Sequence, residues 1–600
     1  MSPIACVVVL LNVLSVATTA NVLAQRPDQK GNIVVPPQGN NRVEDSPEDD
    51  LASIRATLHD LIYALDVMQD EYFEHWLGTW PTSIDWTAAV LGTQVSAALS
   101  SLTSTPQDIL VSLSGDSLAR DALVHENLIN RYFDQVSAFY FGENAISLRN
   151  QAFDDMLWVV LGWLESIKFQ NLHSDLHYSS ESDRNSTVDR PWHGTQLRVP
   201  AAHRARLFYE LASQGWDNVL CGGGMVWSPY LTPYKNAITN ELFISASIGM
   251  YLYFPGDPID SPYLARGNSG ERNVHDPEYL AAAVRGYQWL KDSNMTGFGG
   301  LYADGFHIRG WKSARDPGTR KCDVLNTMVY TYNQGVILSG LRGLWLATAD
   351  RDYLQDGHEL IEKVIWATGW PDTSSTSWAG LGRGGVLEEI CDSSGDCSQN
   401  SHTFKGIFFH HLAEFCRPLR PEEEQLLVEF SDPEDPNAER SRSVFEWHQA
   451  RCRSYRAWIE HNAQAALVTR NDQGKFGMWW GRPYPDIYPN ITEMASPLPA
   501  GAVDYRNYGA MAEETEHLAG LMRVQSDKSP VMESTEIDQR KLGIFATETN
   551  SHHHDKQHPE RARNPPEVND RGRGRTVETQ SGGLAVVRAL YQWKISPSLH

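Results

Sequence analysis

Helix follows helix along most of this 600-residue chain, and every second helix begins in a similar way. From Leu51 onward, apolar residues recur at the i, i+3, i+4, i+7 spacing of one helix face. We count about thirteen such segments, at 51–70, 84–100, 120–139, 152–169, 200–213, 235–253, 277–291, 331–348, 352–366, 402–417, 443–469, 506–523 and 581–594. Convincing alternating strands are absent from the sequence. The pattern predicts an all-α fold.

The openings of alternate helices form a weak internal repeat in which an apolar or aromatic residue precedes polar or aromatic ones. The six openings are Ile84-Asp85-Trp86, Phe153-Asp154-Asp155, Tyr234-Lys235-Asn236, Tyr332-Asn333-Gln334, Phe404-Lys405-Gly406 and Asn507-Tyr508-Gly509. Repetition over tens of residues indicates an array of helical hairpins. If six hairpins close into a ring, alternate helices run parallel on the inside and their amino termini meet at one pocket. We therefore expect an (α/α)6 barrel of the six-hairpin type over residues 51–523.

Two further segments complete the predicted organisation. Residues 524–580 are charged and rich in His and Arg, which is typical of a disordered insertion. Residues 581–600 then supply a helix that returns to the core.

The amino terminus predicts the compartment. Residues 4–17 form a short apolar run followed by small residues, which is the length of a secretory signal, so we expect a signal peptide over 1–24 and a flexible leader over 25–50. Cleavage of the signal peptide would remove Cys6 and leave six cysteines, an even number that can pair in an oxidising compartment. Cys391 and Cys397 flank a turn and are the easiest to join, while the other pairings stay open. Three glycosylation sequons, at Asn185, Asn294 and Asn490, agree with secretion.

Charge and composition exclude some partners. The formal net charge is −24, which disfavours nucleic acid and other anionic polymers, because these select basic surfaces. Nineteen tryptophans offer flat apolar area either for the core or for a sugar-binding cleft. The carboxyl end carries no apolar tail, so we expect no stable membrane anchor. We also expect a monomer that is secreted, either extracellular or in the cell wall.

Asp154 and Asp155 are the strongest candidates for chemistry. One interpretation is structural, because Asp is favoured in the first turn of a helix, where its charge meets the helix dipole. The other is catalytic, with two carboxylates about a glycosidic bond, one ionised and one protonated. Neighbouring positions on a helix diverge by about 100°, so the two side chains can straddle a sugar.

A second set of residues is suited to binding sugar, since aromatic rings stack on sugar faces while Asn and Lys bond hydroxyl groups. The predicted substrate-binding residues are Trp158, Trp227, Tyr234, Lys235, Asn236, Tyr332, Asn333 and Lys405. Core packing is the competing interpretation for any single aromatic residue. Lys235 is harder to assign to packing, because a cation in a first helical turn opposes the helix dipole.

Other patterns carry little weight. Residues 380–385 contain GxGxxG, but no strand precedes it and no βαβ unit surrounds it. The histidines at 552–554 lie in a charged low-complexity stretch. The sequence has no HExxH, paired CxxC or GxSxG motif, which removes the usual signatures of zinc and serine hydrolases.

Five sequence blocks in order carry a family resemblance: FDDMLWVVLGW, CGGGMVWSPYLTPYKNAITNELF, TYNQGVILSGLRGLW, FKGIFFHHLAEF and MWWG. Over roughly residues 50–523 the chain resembles glycoside hydrolase family 76, the secreted endo-α-1,6-mannanases. The resemblance implies an (α/α)6 barrel, retaining hydrolysis of α-1,6-linked mannan or mannooligosaccharides, and no metal or other cofactor. It also implies that Asp154 is the nucleophile and Asp155 the acid/base.

The chain departs from the family pattern in two places, and two alternative functions stay open. Met156-Leu157 follows the aspartate pair where many members have aromatic residues, and the 524–580 insertion is long. A mannan transglycosidase of the cell wall is one alternative, and a non-catalytic carbohydrate-binding protein on the same barrel is another. A polysaccharide lyase is disfavoured, since it needs a cationic site for an acidic substrate.

Overall fold

The computed structural model describes residues 47–110, 118–137, 151–178, 191–259, 274–429, 437–481, 496, 498–507 and 567–596. The predicted signal peptide, nearly all of the leader and two of the three sequons lie outside these residues. Asn294, the acceptor of the third sequon, is the C-cap of a helix and its own backbone is in the left-handed conformation.

The described residues form fifteen α-helices. In chain order they are α1 (Pro47–Tyr72), α2 (Asp85–Thr103), α3 (Gln107–Leu110), α4 (Leu118–Ser137), α5 (Phe153–His177), α6 (Arg198–Ala212), α7 (Ala237–Tyr253), α8 (Pro277–Ser293), α9 (Thr331–Thr348), α10 (Arg351–Ala367), α11 (Phe404–Cys416), α12 (Pro421–Glu429), α13 (Asn437–Ser454), α14 (Arg456–Val468) and α15 (Val577–Ile595).

Six of these helices close into a ring. In order around the ring they are α2, α5, α7, α9, α11 and α15, and α15 packs back against α2. Outer helices cover the ring, with α4 against α2, α6 against α5, α8 against α7, α10 against α9 and α14 against α15. The fold is all-α, as predicted, and the arrangement is an (α/α)6 barrel.

The two layers differ in sequence because they differ in environment. Helix α7 lies in the inner ring and is buried almost all round, and its sequence is mostly apolar, with Asn240 and Glu241 among its few buried polar residues. Helix α10 lies outside and is amphipathic, burying Leu354, Ile361 and Val364 towards the ring. The alternation of mostly apolar and amphipathic helices along the chain thus follows the alternation of inner and outer layers.

The amino termini of the inner helices meet at one end of the ring, which we call the barrel mouth. Near the starts of α2 and α5, Trp86 and Trp158 stack with ring centroids 5.6 Å apart. At the starts of α9 and α11, Tyr332 and Phe404 stack at 3.9 Å. Thr87 of α2 donates its hydroxyl to Glu578 of α15 over 2.8 Å. The inner helices therefore run parallel, as the hairpin repeat predicts.

The sixth inner helix is not the one the sequence repeat suggested. The opening at Asn507 was predicted to start a helix over 506–523, but Arg506 and Asn507 lie in a turn, and residues 508–523 are outside the described part. Helix α15 closes the ring instead, beginning four residues before the predicted 581. Residues 567–576, assigned above to the insertion, also pack on the barrel, where Asn569 is buried and accepts the N–H of Trp479 over 2.8 Å.

Five short β-strands lie in the loops between the described helices. Strands β1 (Lys235–Asn236), β2 (Gly305–Ile308) and β3 (Cys322–Asn326) form an antiparallel sheet in the order β1-β2-β3. A second pair consists of β4 (Gly382–Arg383) and β5 (Val386–Leu387). At two to five residues each, these strands are too short for the alternation by which strands are recognised in sequence.

Three disulfides join all six remaining cysteines, so the predicted disulfide bonding is confirmed. They are Cys221–Cys322, Cys391–Cys397 and Cys416–Cys452. The first joins the glycine-rich loop before β1 to strand β3. Among the described residues, no helix has the length and apolarity needed to cross a membrane.

Candidate active site

Asp154 and Asp155 lie in the first turn of the inner helix α5, at the barrel mouth. The residue at the N-cap is Ala152, which has no side-chain cap, and the helix start is held instead by the Phe153 N–H donating to the Trp227 carbonyl over 2.9 Å. Asp154 is only 2% exposed, whereas Asp155 is partly exposed. One carboxyl is thus enclosed and its neighbour faces more open space.

Three groups donate hydrogen bonds to the Asp154 carboxyl. Its Oδ2 accepts from Trp227 Nε1 over 3.0 Å and from Arg506 Nη2 over 3.3 Å, and its Oδ1 accepts the Asp155 N–H over 3.1 Å. The pKa of Asp154 is raised above its usual value, chiefly by burial, and the Arg506 charge and these donors oppose that rise. A carboxylate satisfies such a set of donors, whereas a protonated acid would need an acceptor for its O–H.

Two predicted binding residues lie beside the pair. Trp227 contacts Asp154 directly and also lies 5.5 Å from the Arg506 guanidinium, a cation–π distance. Tyr332 is buried, and the Arg506 and Asp154 charges both act on its hydroxyl, while burial raises its pKa. Trp158 is also buried and stacks on Trp86 one turn along α5. Trp227 and Tyr332 thus lie beside Asp154, and Trp158 lies one turn further along the same helix.

Tyr234 belongs to an adjoining polar group. It donates its hydroxyl to Asp304 Oδ2 over 2.5 Å and stacks on His307 at 4.3 Å. Asn326 Nδ2 also donates to Asp304, over 3.1 Å. Burial raises the pKa of Asp304 to about 6, with Tyr234 and the Arg506 charge opposing that shift. Tyr234 therefore has an indirect link to the aspartate pair. It bonds Asp304, the Arg506 charge acts on Asp304, and Arg506 donates to Asp154.

The two predicted lysines do not present free ammonium groups to a sugar. Lys235 is fully buried and donates to the carbonyls of Asp217, Gly223 and Gly224 over 2.5–3.1 Å. Burial lowers its pKa to about 8. Lys405 is likewise buried and pairs with Asp392 over 2.5 Å. In this structure each lysine holds a neighbouring loop in place, and its assignment to substrate binding stays a prediction.

Asn236 and Asn333 are also buried, at the start of α7 and in the first turn of α9. Asn236 accepts a hydrogen bond at its main-chain carbonyl from Asn240 Nδ2 over 2.8 Å. Both side chains are almost fully buried, and among the described residues Asn236 Oδ1 and both polar atoms of the Asn333 amide have no hydrogen-bond partner. Their role in substrate binding stays a prediction.

Sequence reasoning missed Arg506, Asp304 and a group of buried acids beside Lys405. In that group, burial raises the pKa of Glu388 to about 7 and that of Glu389 to about 8. Glu389 accepts the Thr331 N–H over 3.0 Å at the start of α9. The signal for Arg506 was its position beside Asn507, one of the six repeat openings. No local pattern marks Asp304 or the glutamates.

Within the described part of the chain, two buried clusters contain side chains of types that bind metals. One comprises His358, His448 and Cys452, and the other comprises Cys391, Asp392 and Cys397. The cysteines of both clusters are in disulfides, so neither cluster supplies a thiolate ligand.

The chain is similar in sequence to known proteins of one family. The family model described as glycosyl hydrolase family 76 matches residues 202–429. The chain is 24% identical over 219 residues to mannan endo-1,6-alpha-mannosidase DCW1 of Candida glabrata, covering 36% of this chain and 39% of that protein. It is also 24% identical over 206 residues to mannan endo-1,6-alpha-mannosidase DFG5 of Saccharomyces cerevisiae, covering 33% and 35%. The resemblance to glycoside hydrolase family 76 is confirmed.

The family 76 match runs from α6 to α12 and so contains Trp227, Tyr332 and Lys405 but not the aspartate pair. The match spans only 39% and 35% of the lengths of these two curated relatives. Among solved structures, it is similar to the GH76A alpha-1,6-mannanase of Salegentibacter sp. HEL1_6, with 17% identity, 71% of this chain and 92% of that chain covered, and a TM-score of 0.41. It is also similar to Dfg5 of Chaetomium thermophilum in complex with glucosamine, with 15% identity, 81% and 93% covered, and a TM-score of 0.41.

Proposed function

We propose that the protein is a retaining glycoside hydrolase that cleaves α-1,6-mannosidic bonds in mannan. The observation that carries the proposal is the adjacent aspartate pair at the mouth of an (α/α)6 barrel, with one carboxyl enclosed by donors and the other partly exposed. The family match and the mannan endo-1,6-alpha-mannosidase names of two relatives support the substrate class.

In the first step, the Asp154 carboxylate attacks the anomeric carbon and the bond from that carbon to the glycosidic oxygen breaks. Asp155 gives its proton to the departing oxygen, so the leaving chain departs as an alcohol and Asp155 becomes a carboxylate. The enclosure of Asp154 suits this role, because its donors fix the orientation of the attacking oxygen. The open side of Asp155 suits exchange of protons with substrate and water.

In the second step, water attacks the same carbon and breaks the ester to Asp154. Asp155 accepts a proton from that water, which restores both side chains to their starting states. Two inversions at one carbon return the original α configuration. If the hydroxyl of a second sugar replaces water, the same chemistry is transglycosylation, so the acceptor decides between these two outcomes.

We further propose that the protein acts outside the cell, on wall or environmental mannan. The apolar amino terminus and three disulfides support this placement, because disulfides persist in oxidising compartments.

The test is product analysis of unbranched α-1,6-mannan incubated with wild type, Asp154→Asn and Asp155→Asn. We expect wild type to release short mannooligosaccharides and both variants to be slower by about 10³-fold or more, since each removes a reacting group. Addition of an acceptor oligosaccharide separates hydrolysis from transfer by product length. Binding of mannan without any product, with or without acceptor, would contradict the proposal and favour a carbohydrate-binding protein.

A further inference from the structure

Residues 498–507 run across the barrel mouth, and we call this segment the strap. Its first half is fixed to the end of strand β3. Asn326 exchanges two hydrogen bonds with Val503, accepting its N–H over 2.8 Å and donating to its carbonyl over 2.9 Å. The Thr327 N–H donates to the Gly501 carbonyl over 3.3 Å.

The second half of the strap is fixed on both sides of Arg506. Asp504 accepts the Tyr330 hydroxyl over 2.6 Å. Asn507 Oδ1 accepts the Ser398 N–H over 2.8 Å and the Ser401 hydroxyl over 2.6 Å. Because its neighbours on each side are bonded to the barrel, Arg506 has little freedom to move away.

Arg506 reaches from the strap onto the candidate nucleophile. Its Nη2 lies 3.3 Å from Asp154 Oδ2, the same oxygen that accepts the Trp227 indole N–H. Its guanidinium lies over the Trp227 ring. Two donors of different chemistry therefore meet on one oxygen and leave the carboxyl a single orientation.

The surroundings of Arg506 are acidic or neutral. The groups that face it are the carboxyls of Asp154 and Asp304 and the phenols of Tyr330 and Tyr332. A buried carboxylate needs a charged or donating partner, because its desolvation is otherwise costly. The Arg506 charge lowers the pKa of Asp154 and so favours its ionised form.

We propose that Arg506 is a positioning residue that keeps the Asp154 carboxyl charged and correctly oriented at the barrel mouth. Its effect on catalysis rests on the function proposed above. Its ion pair with Asp154 does not, and the two can be tested separately.

The ion pair is tested by a double-mutant cycle of thermal unfolding at pH 7. The cycle uses Arg506→Gln, Asp154→Asn and the double variant. Arg206→Gln is the control, because Arg206 lies in the outer helix α6 and pairs with a different buried carboxylate, Asp257, over 2.6 Å. We expect Arg506→Gln to lower Tm by about 2–4 °C in wild type and by much less in the Asp154→Asn background. The control should lower Tm equally in both backgrounds. Equal losses for Arg506→Gln in both backgrounds would overturn the proposal.

The catalytic consequence is tested by the pH dependence of kcat/KM on α-1,6-mannan. Loss of a nearby cation raises the pKa of a carboxyl, so the acid limb of Arg506→Gln should move up by about one pH unit or more. Arg506→Lys should restore much of the shift, and Arg206→Gln should leave the limb in place. A slower Arg506→Gln enzyme with an unmoved limb would mean a purely structural role.

The two tests separate the failures. If wild type leaves mannan intact, the proposed function fails, but the unfolding cycle still decides whether Arg506 holds the charge of Asp154.

Discussion

At the scale of single residues, burial decides which polar side chains can meet a ligand. Asp154 and Lys235 were both predicted as site residues at the start of an inner helix, and the structure has Asp154 in the first turn of α5 and Lys235 in strand β1, just before α7. The structure separates them by their partners, since Asp154 receives donors at the barrel mouth and Lys235 donates to three carbonyls of the 217–224 loop. Sequence identifies such residues but does not reveal which way the side chain turns.

The structural role of Lys235 predicts a stability effect. Lys235→Met removes the ammonium and leaves three buried carbonyls without their donor, so we expect a loss of about 3 kcal/mol in unfolding free energy. Denaturant unfolding measures it. Lys312→Met is the matched control, because Lys312 pairs with Asp316 on the exposed surface and should cost well under 1 kcal/mol. A similar small loss for Lys235→Met would show that the loop does not depend on this lysine.

At the scale of elements, helical periodicity predicted nearly every inner and outer helix, because each one has a long and distinctive apolar pattern. It joined α13 and α14 into one helix over 443–469, although the structure breaks them at Tyr455. The closing helix was found, but its place in the ring was not. That place depends on contacts between α15, α11 and α2, which lie hundreds of residues apart in sequence.

The packing of α11 on α15 predicts a sharp contrast between two glycines. A Cβ on Gly406 would lie 2.8 Å from the Gly582 Cα, a backbone atom that cannot yield without moving the helix. A Cβ on Gly582 would lie no closer than 3.7 Å to another atom, an ordinary contact. We expect Gly406→Ala to cost about 1–3 kcal/mol and Gly582→Ala to be neutral or stabilising, because alanine favours helix.

Thermal unfolding of the two alanine variants checks this contrast directly. Equal Tm values for both would mean that α11 and α15 do not pack as closely as the structure has them. A loss for Gly582→Ala alone would reverse the assignment of the close contact.

At the scale of the whole molecule, the ring brings distant residues to one mouth. Arg506 and Asp154 are 352 residues apart in sequence and 3.3 Å apart in space. No periodicity links such positions, which is why the strap and Asp304 were not predicted. The aspartate pair was predicted, because two acids at the start of a strongly apolar helix form a local signal. Its proposed role came from the family resemblance.

The most direct measurement of the proposed chemistry follows the anomeric protons of the first products by NMR while wild type cleaves unbranched α-1,6-mannan. Retention through Asp154 predicts that the α-anomer appears first and that the β-anomer grows only with the time course of spontaneous mutarotation. Asp154→Asn and Asp155→Asn, run in parallel, should give no early signal. A β-anomer that appears first would contradict the retaining mechanism, and a wild type that releases no reducing end would contradict mannan hydrolysis itself.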